Sequence, residues 1–202
     1  MRKEGEKPHY RKKLKLMTKA YMKKYRFVIV CLIEGDALKF HENLINTIKL
    51  KFGVNPQKLP AHFTIKAPFE TDDLNNISEL QNLINEFCLT HSKSEINING
   101  FNHFGNRVIY MGINPSIKAL NTYKEFIEKL KKLSWLDWKS NESKEKVFHC
   151  TVATKFQQYK FHTIWDFVSN SCPNFKLYFD NISILYWKNN YWETYREFKF
   201  NI

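Results

Sequence analysis

A chain of 202 residues, 43% hydrophobic and 26% charged, is long enough for one substantial domain and too apolar to stay disordered throughout. No apolar run reaches the roughly 18–20 residues of a membrane span, and the basic N-terminus leads to no small-residue cleavage site. A membrane partner is therefore not expected, and a soluble, cytoplasmic chain, read as a monomer, is. The net charge of +12 is uneven: residues 1–26 carry eleven Lys or Arg against Glu4 and Glu6, a net +9, leaving +3 for the rest. Residues 1–25 read as a basic N-terminal extension that is solvated on its own and able to touch RNA or another polyanion. Leu14, Met17 and Tyr21 keep helical spacing within it, so a docked amphipathic helix is the other reading. Residues 26–202 read as a single domain of two lobes. The cysteines, Cys31, Cys88, Cys150 and Cys172, show no C-x-x-C spacing, and three sit in apolar runs, as small core residues in a reducing compartment do.

Phe27 to Ile33 is a continuous apolar run, which predicts a buried central strand. Asp36 follows as the expected N-cap of a helix whose apolar positions are Leu38, His41, Leu44, Ile45, Ile48 and Phe52, ended by Gly53. After Pro56 and Pro60 comes a strand-like run from Ala61 to Phe69. A second helix carries Leu80, Leu83, Ile84 and Phe87. Two strands, Glu95 to Asn99 and Arg107 to Ile113, follow, with Gly100 and Gly105 in the expected connection. Pro115 and Ser116 start a third helix marked by Leu120, Tyr123, Ile127 and Leu130. The polar segment from Lys139 to Lys146 reads as a surface loop or a mobile rim. A strand at Phe148 to Lys155 and a helix around His162 to Ser169 come next. Phe175 to Trp187 and Tyr191 to Phe200 read as two long strands joined at Lys188-Asn189-Asn190. Each half of the chain holds one His-x-Thr strand followed by a helix, a weak duplication that predicts two related lobes.

Those two motifs are His62-Phe63-Thr64 and His149-Cys150-Thr151. One His-x-Thr in a chain with seven histidines is a chance-level pattern. Two, each inside a strand-like run, carry more weight. Side chains alternate along a strand, so His62, Thr64 and Lys66 are expected on one face, with Phe63 and Ile65 behind. His149, Thr151 and Ala153 repeat this, with Cys150 and Val152 behind. The pattern predicts two His-Thr pairs facing each other across a cleft and holding one phosphate. Imidazole titrates near neutrality, so one histidine can take a proton while the other gives one. A Thr hydroxyl on the same face can donate to a non-bridging phosphate oxygen, and Lys66 could add positive charge. A zinc site is the competing chemistry, but no third His, Cys, Asp or Glu stands near either motif at ligand spacing. No metal or other cofactor is expected. Cys150 is no nucleophile candidate, because it points away from its neighbour His149.

With these residues in place the chain resembles the 2H phosphoesterase superfamily, and within it the 2′-5′ RNA ligase-like, or cyclic phosphodiesterase, proteins. The resemblance rests on His62-Phe63-Thr64-Ile65, His149-Cys150-Thr151-Val152 and the flank Leu59 to Phe69. Gly100-Phe101, Phe104, Arg107 to Tyr110 and the run from Ile182 to Tyr186 are also similar to the family, so that it covers about residues 26–200. It implies an α+β fold of two lobes, with two antiparallel sheets flanked by helices around a central cleft of pseudo-twofold symmetry. It further implies metal-independent cleavage of nucleotide or RNA phosphodiesters, such as 2′,3′-cyclic phosphates or 2′-5′ linkages. The implied roles are His62 and His149 as general acid and base, and Thr64 and Thr151 as phosphate ligands. Relatives commonly carry a basic residue soon after the second motif; here Ala153 and Thr154 intervene before Lys155. Tyr110 and Phe104 are candidates for stacking a base, with core packing as their other role. The alternative function is a non-catalytic RNA-binding module that grips a terminal phosphate.

Overall fold

The computed structural model describes residues 24–143 and 145–201, so the expectations for residues 1–23 lie outside the described residues. The first strand, β1 (Tyr25–Leu32), is buried on both faces as its unbroken apolar run requires: Phe27, Ile29 and Cys31 enter the main core, while Val28 and Val30 pack on the other side with Leu185. Helix α1 (Gly35–Phe52) begins one residue before the expected cap. Gly35 takes φ +67°, a turn that suits a residue without Cβ. Asp36 instead sits in the first turn, where its carboxylate meets the positive end of the helix dipole. The helix ends as expected at Gly53 (φ +66°), whose N–H donates to the Lys49 carbonyl.

Strand β2 (His62–Thr71) leads into α2 (Leu74–Thr90), capped by the Asp73 side chain, which accepts from the Asn75 N–H. Strands β3 (Ser94–Phe104) and β4 (Val108–Pro115) form a hairpin. Gly100, expected in the connection, lies inside β3 at φ +65°, where the register with β4 slips between Ile98 and Phe101. The glycine makes a bulge rather than a loop. Ser116 caps α3 (Ile117–Leu130) as predicted, accepting from the Ala119 N–H. A short 3-10 turn (Ser140–Ser143) occupies the polar loop before β5 (His149–Thr154) and α4 (Phe161–Ser169).

The stretch from Phe175 to Trp187 is two strands, not the expected one. β6 (Asn174–Phe179) pairs with β3, whereas β7 (Asn181–Lys188) pairs with β1 in the other sheet. Asn181 holds the crossover. Fully buried, its side chain accepts from the Leu32 N–H and the Ser183 hydroxyl and donates to the Leu32 carbonyl and the Asp180 carboxylate. A change of sheet in mid-run leaves no mark in hydrophobic alternation. The last turn is as predicted: Asn189 and Asn190 both have positive φ, the backbone of a tight hairpin, and lead to β8 (Tyr191–Lys199).

The result is two four-stranded antiparallel sheets, ordered β2-β1-β7-β8 and β5-β4-β3-β6. The lobes therefore do not follow the halves of the sequence, because the C-terminal hairpin completes the first sheet. The duplication is in the pairing. Leu32, Cys31, Val30 and Ile29 of β1 face His62, Phe63, Thr64 and Lys66 of β2. Gly112, Met111, Tyr110 and Ile109 of β4 face His149, Cys150, Thr151 and Ala153 of β5 in the same way. Both motif strands are sheet edges, and both start at their histidine. Among the described residues no helix is long and apolar enough to cross a membrane.

Replacing Asn181 with Leu removes the side chain that satisfies both backbone groups of Leu32 at the sheet crossover. The expected loss of stability is about 2–4 kcal/mol, read as a lower urea midpoint at unchanged m-value.

Candidate active site

The two edge strands meet through the residues behind the motifs. The Phe63 ring packs edge-on against Phe148, the residue before His149, with centroids 5.4 Å apart, and against Phe179 at 5.4 Å. Cys150 is buried behind its strand, and burial pushes its thiol up to about 12, so it stays protonated and inert. This contact sets the two motif strands side by side and turns their other faces to a shared cleft.

Each histidine is aimed by the same bond. His62 Nδ1 lies 2.7 Å from the Pro60 carbonyl, and His149 Nδ1 lies 2.9 Å from the Val147 carbonyl, two residues upstream in both cases. A carbonyl only accepts, so Nδ1 carries the proton in each ring and Nε2 keeps a lone pair when the ring is neutral. The Thr64 hydroxyl donates to His62 Nε2 over a long 3.3 Å. Burial is the main cause of depressed pKa values at both rings. It lowers His62 to about 4, against the opposing bond to Pro60, and the charges of His149, His41 and Lys146 push the same way. His149 is lowered by burial and by Lys146, less the effect of its Val147 bond. The two histidines are thus close enough for the charge of one to disfavour charge on the other.

Lys66 does not join them. Opposite β1, Thr64 faces Val30 but Lys66 faces Ile29, so β2 advances two residues while β1 advances one. This bulge breaks the alternation that put Lys66 beside Thr64. Val30 packs on the small apolar cluster, while Ile29 belongs to the main core, and Lys66 follows Ile29 inward. Its side chain is fully buried, with its ammonium 3.0 Å from both carboxylate oxygens of Glu142 and 4.7 Å from the Trp138 ring centroid. The expected phosphate ligand is therefore an interior ion pair. The same bulge recurs in β5, where Thr151 faces Tyr110 and Ala153 faces Ile109.

A cavity of about 520 Å³ carries Thr64 and His149 in its wall, with Phe104 and Lys146. His62, 5% exposed, and Thr151, partly exposed, are not in its lining. Phe104 stands edge-on to the His149 ring at 5.0 Å and packs on Tyr110 at 4.5 Å. Of these two aromatic rings, Tyr110 is buried and Phe104 is exposed to the cavity.

Residues 38–190 match the 2′-5′ RNA ligase superfamily. The chain belongs to that superfamily. This is the 2H phosphoesterase grouping that the paired motifs resemble. A protein of Bacillus pumilus (strain SAFR-032) named "Putative phosphoesterase" is 31% identical over 84 residues, 40% of this chain. The match spans 48% of that relative, about half its length. E. coli LigT complexed with 3′-AMP superposes with a TM-score of 0.63 at 11% identity, covering 89% of this chain and all of LigT. TT0787 of Thermus thermophilus gives 0.62 at 10% identity, covering 86% and 97%. At these identities the likeness is one of fold.

In this superfamily member three side chains around the motifs, Lys146, His41 and Gln57, escaped the sequence reading. Lys146 is half-buried in the cavity wall, and burial lowers its pKa to about 8, against the opposing charge of Glu142. It therefore remains mainly cationic at neutral pH. His41 is buried, and its Nε2 donates to the Thr151 carbonyl at 2.8 Å, with Gln57 donating to the same oxygen at 3.2 Å. A signal existed for His41: a polar side chain in the middle of an apolar helix stripe needs a buried partner. None existed for Lys146 in a run of alternating charges. Among the described residues no three His, Cys, Asp or Glu side chains converge as a metal-ligand set.

Burial of neutral His62 makes stability fall with acid. Above pH 6.5 the ring is neutral in both folded and unfolded chains. Between 6.5 and about 4 only the unfolded chain takes the proton, so wild type should lose on the order of 3 kcal/mol relative to His62→Gln across that window. Denaturant unfolding of both proteins at stepped pH measures it; parallel curves would contradict the depressed pKa. Separately, Glu142→Ala strands Lys66 in the core and should cost about 3–5 kcal/mol in the same assay.

Proposed function

We propose that this protein is a metal-independent phosphodiesterase acting on nucleotide or RNA phosphodiesters, either a 2′,3′-cyclic phosphate or a 2′-5′ linkage. The observation that carries this reading is the matched pair of Nδ1–carbonyl bonds, which leave two Nε2 atoms on adjacent strands as proton acceptor and donor. LigT, which shares the fold, has structures complexed with 3′-AMP, ATP and NADP+, and that supports a nucleotide as the ligand.

In cyclic-phosphate hydrolysis, neutral His62 Nε2 takes a proton from water as the water oxygen bonds to phosphorus. Protonated His149 Nε2 gives its proton to the ribose oxygen as the P–O bond breaks. His62 is assigned the base because its pKa is pushed down to about 4, so it is unprotonated in the resting protein. The anionic substrate raises the pKa of both rings, and the more exposed His149 accepts the proton first. Thr64, Thr151 and Lys146 stabilise the phosphorane charge, with Lys146 in the role expected of Lys66. Phe104 offers its face to the base.

His62→Ala and His149→Ala should each lower kcat by roughly 10²–10⁴ with the fold retained, and EDTA should leave the rate unchanged. A binding module would retain RNA without releasing product. Because His62 must be unprotonated and His149 protonated, and both pKa values are lowered, the kcat/KM profile should be bell-shaped and centred on the acid side of pH 6.5. Lys146→Met removes a charge that depresses both, so both limbs should move to higher pH. A profile that stays in place would remove Lys146 from the site.

A further inference from the structure

A second hollow, of about 680 Å³, opens beside the cleft, where the run into the first motif meets the run out of the second. Arg26, Lys58, Lys155, Lys160, Trp187 and Trp192 are in its wall, and its described lining contains no carboxylate. Lys160 is committed elsewhere, donating to the Phe52 carbonyl at the end of α1 at 2.8 Å. Two of the other cations, Arg26 and Lys58, are set against aromatic rings. The Arg26 guanidinium lies 5.6 Å from the Trp192 ring centroid, and the Lys58 ammonium lies 5.3 Å from Trp187 and 5.8 Å from Tyr191. Trp187 and Trp192 are half-buried and set as a wedge, with centroids 5.3 Å apart and planes at 66°. The Trp192 N–H donates to the Lys58 carbonyl at 3.3 Å, which fixes this loop to the β7–β8 hairpin.

Cations that track a backbone, alternating with rings that stack any base, are the makeup of a single-strand binding groove. Two residues link the hollow to the second motif. Gln57 lies in its wall and donates to the Thr151 carbonyl. Thr154, also in the wall, ends the strand that carries Thr151, roughly 10 Å further along it. The basic block of the sequence reaches its end at Arg26, on the rim of the hollow.

We infer that this hollow is a strand-binding subsite that holds the nucleotides of a single-stranded RNA lying 5′ of the phosphate in the cleft. It makes the protein favour an oligonucleotide end over a mononucleotide. The activity arm of its test rests on the proposed phosphodiesterase reading; the binding arm does not.

The test compares the full-length protein with Arg26→Glu/Lys58→Glu, both exposed positions. The substrates are a short single-stranded RNA ending in a 2′,3′-cyclic phosphate and the corresponding cyclic mononucleotide. The double variant should lose roughly tenfold or more in kcat/KM on the oligonucleotide and stay within about twofold on the mononucleotide. Fluorescence anisotropy with the same RNA ending in a 3′-phosphate should show weaker binding by the variant. The slope of log affinity against log salt should fall by about 1.4, for two lost phosphate contacts on a single strand. Titration should also quench the indole fluorescence of wild type, and Trp187→Phe should reduce that quench. Equal losses on both substrates, or equal RNA affinity for both proteins, overturn the subsite. Binding of heparin or duplex RNA as tight as that of the single strand overturns it too, leaving a generic polyanion surface. If wild type turns over neither substrate, the phosphodiesterase reading fails, while the anisotropy and salt slope still decide the subsite.

Discussion

The site depends on two sheet edges being packed side by side. A bare edge exposes unpaired N–H and C=O groups, and proteins cover such edges or leave them to find other partners. Here each motif strand borrows cover from the opposite lobe. The Thr151 carbonyl of β5 accepts from His41 and Gln57, which precede the first motif. The Ala67 N–H of β2 donates to Glu142, which precedes the second. Phe63 against Phe148 supplies the apolar contact between them. The edges that a lone sheet would have to protect become the floor of the cleft, and neither lobe completes its own motif strand.

Within that frame one bulge placed twice separates chemistry from structure. After Thr64 and after Thr151 the strand gains a residue against its neighbour, and the face changes. Up to the bulge, the His and Thr of each motif alternate with Phe63 or Cys150, which belong to the main core. Beyond the bulge the side chain turns inward. At the second copy the inward residue is Ala153, which costs nothing to bury. At the first it is Lys66, which must be neutralised. The pseudo-symmetry is therefore close enough in pairing to set two histidines alike, and broken enough in composition to give them different surroundings. His62 lies deeper and its pKa is depressed to about 4, while His149 is more exposed and packed by Phe104 and Tyr110. The proposed mechanism uses this difference, since unlike surroundings push the pKa values of two identical side chains apart.

Much of this was legible in the sequence. Apolar periodicity gave the helices, Gly53 and Ser116 their ends, and the Asn-Asn turn its hairpin, because each of these is decided by local sterics or local hydrogen bonds. The paired His-x-Thr runs were legible as strands, and the cavity wall holds one residue of each, Thr64 and His149. What local pattern could not carry was register. The bulge that removed Lys66 depends on how β2 pairs with β1, and the break at Asp180 depends on which sheet each side of it joins. Lys146 and Glu142 lay in a segment with no periodicity at all, so their partners could be found only in three dimensions.

Lys66 nonetheless acts on the cleft from inside the core. Glu142 accepts from its ammonium, from Ala67 N–H and from Lys139 N–H. Burial alone would raise the pKa of this carboxyl; the bond from Lys139, the Lys66 ammonium and the bond from Ala67 together outweigh it and hold the group ionised. A carboxylate so fully engaged pins the loop on which it sits, and Lys146 lies four residues further along that loop. A buried ion pair is poor evidence of net stability, since apolar replacements often serve as well, but it does specify one geometry over others. Here the geometry it specifies is the approach of a flexible cationic side chain to two neutral histidines. The positive charge expected at Lys66 stands in the cavity wall instead on Lys146, in the loop that Glu142 anchors.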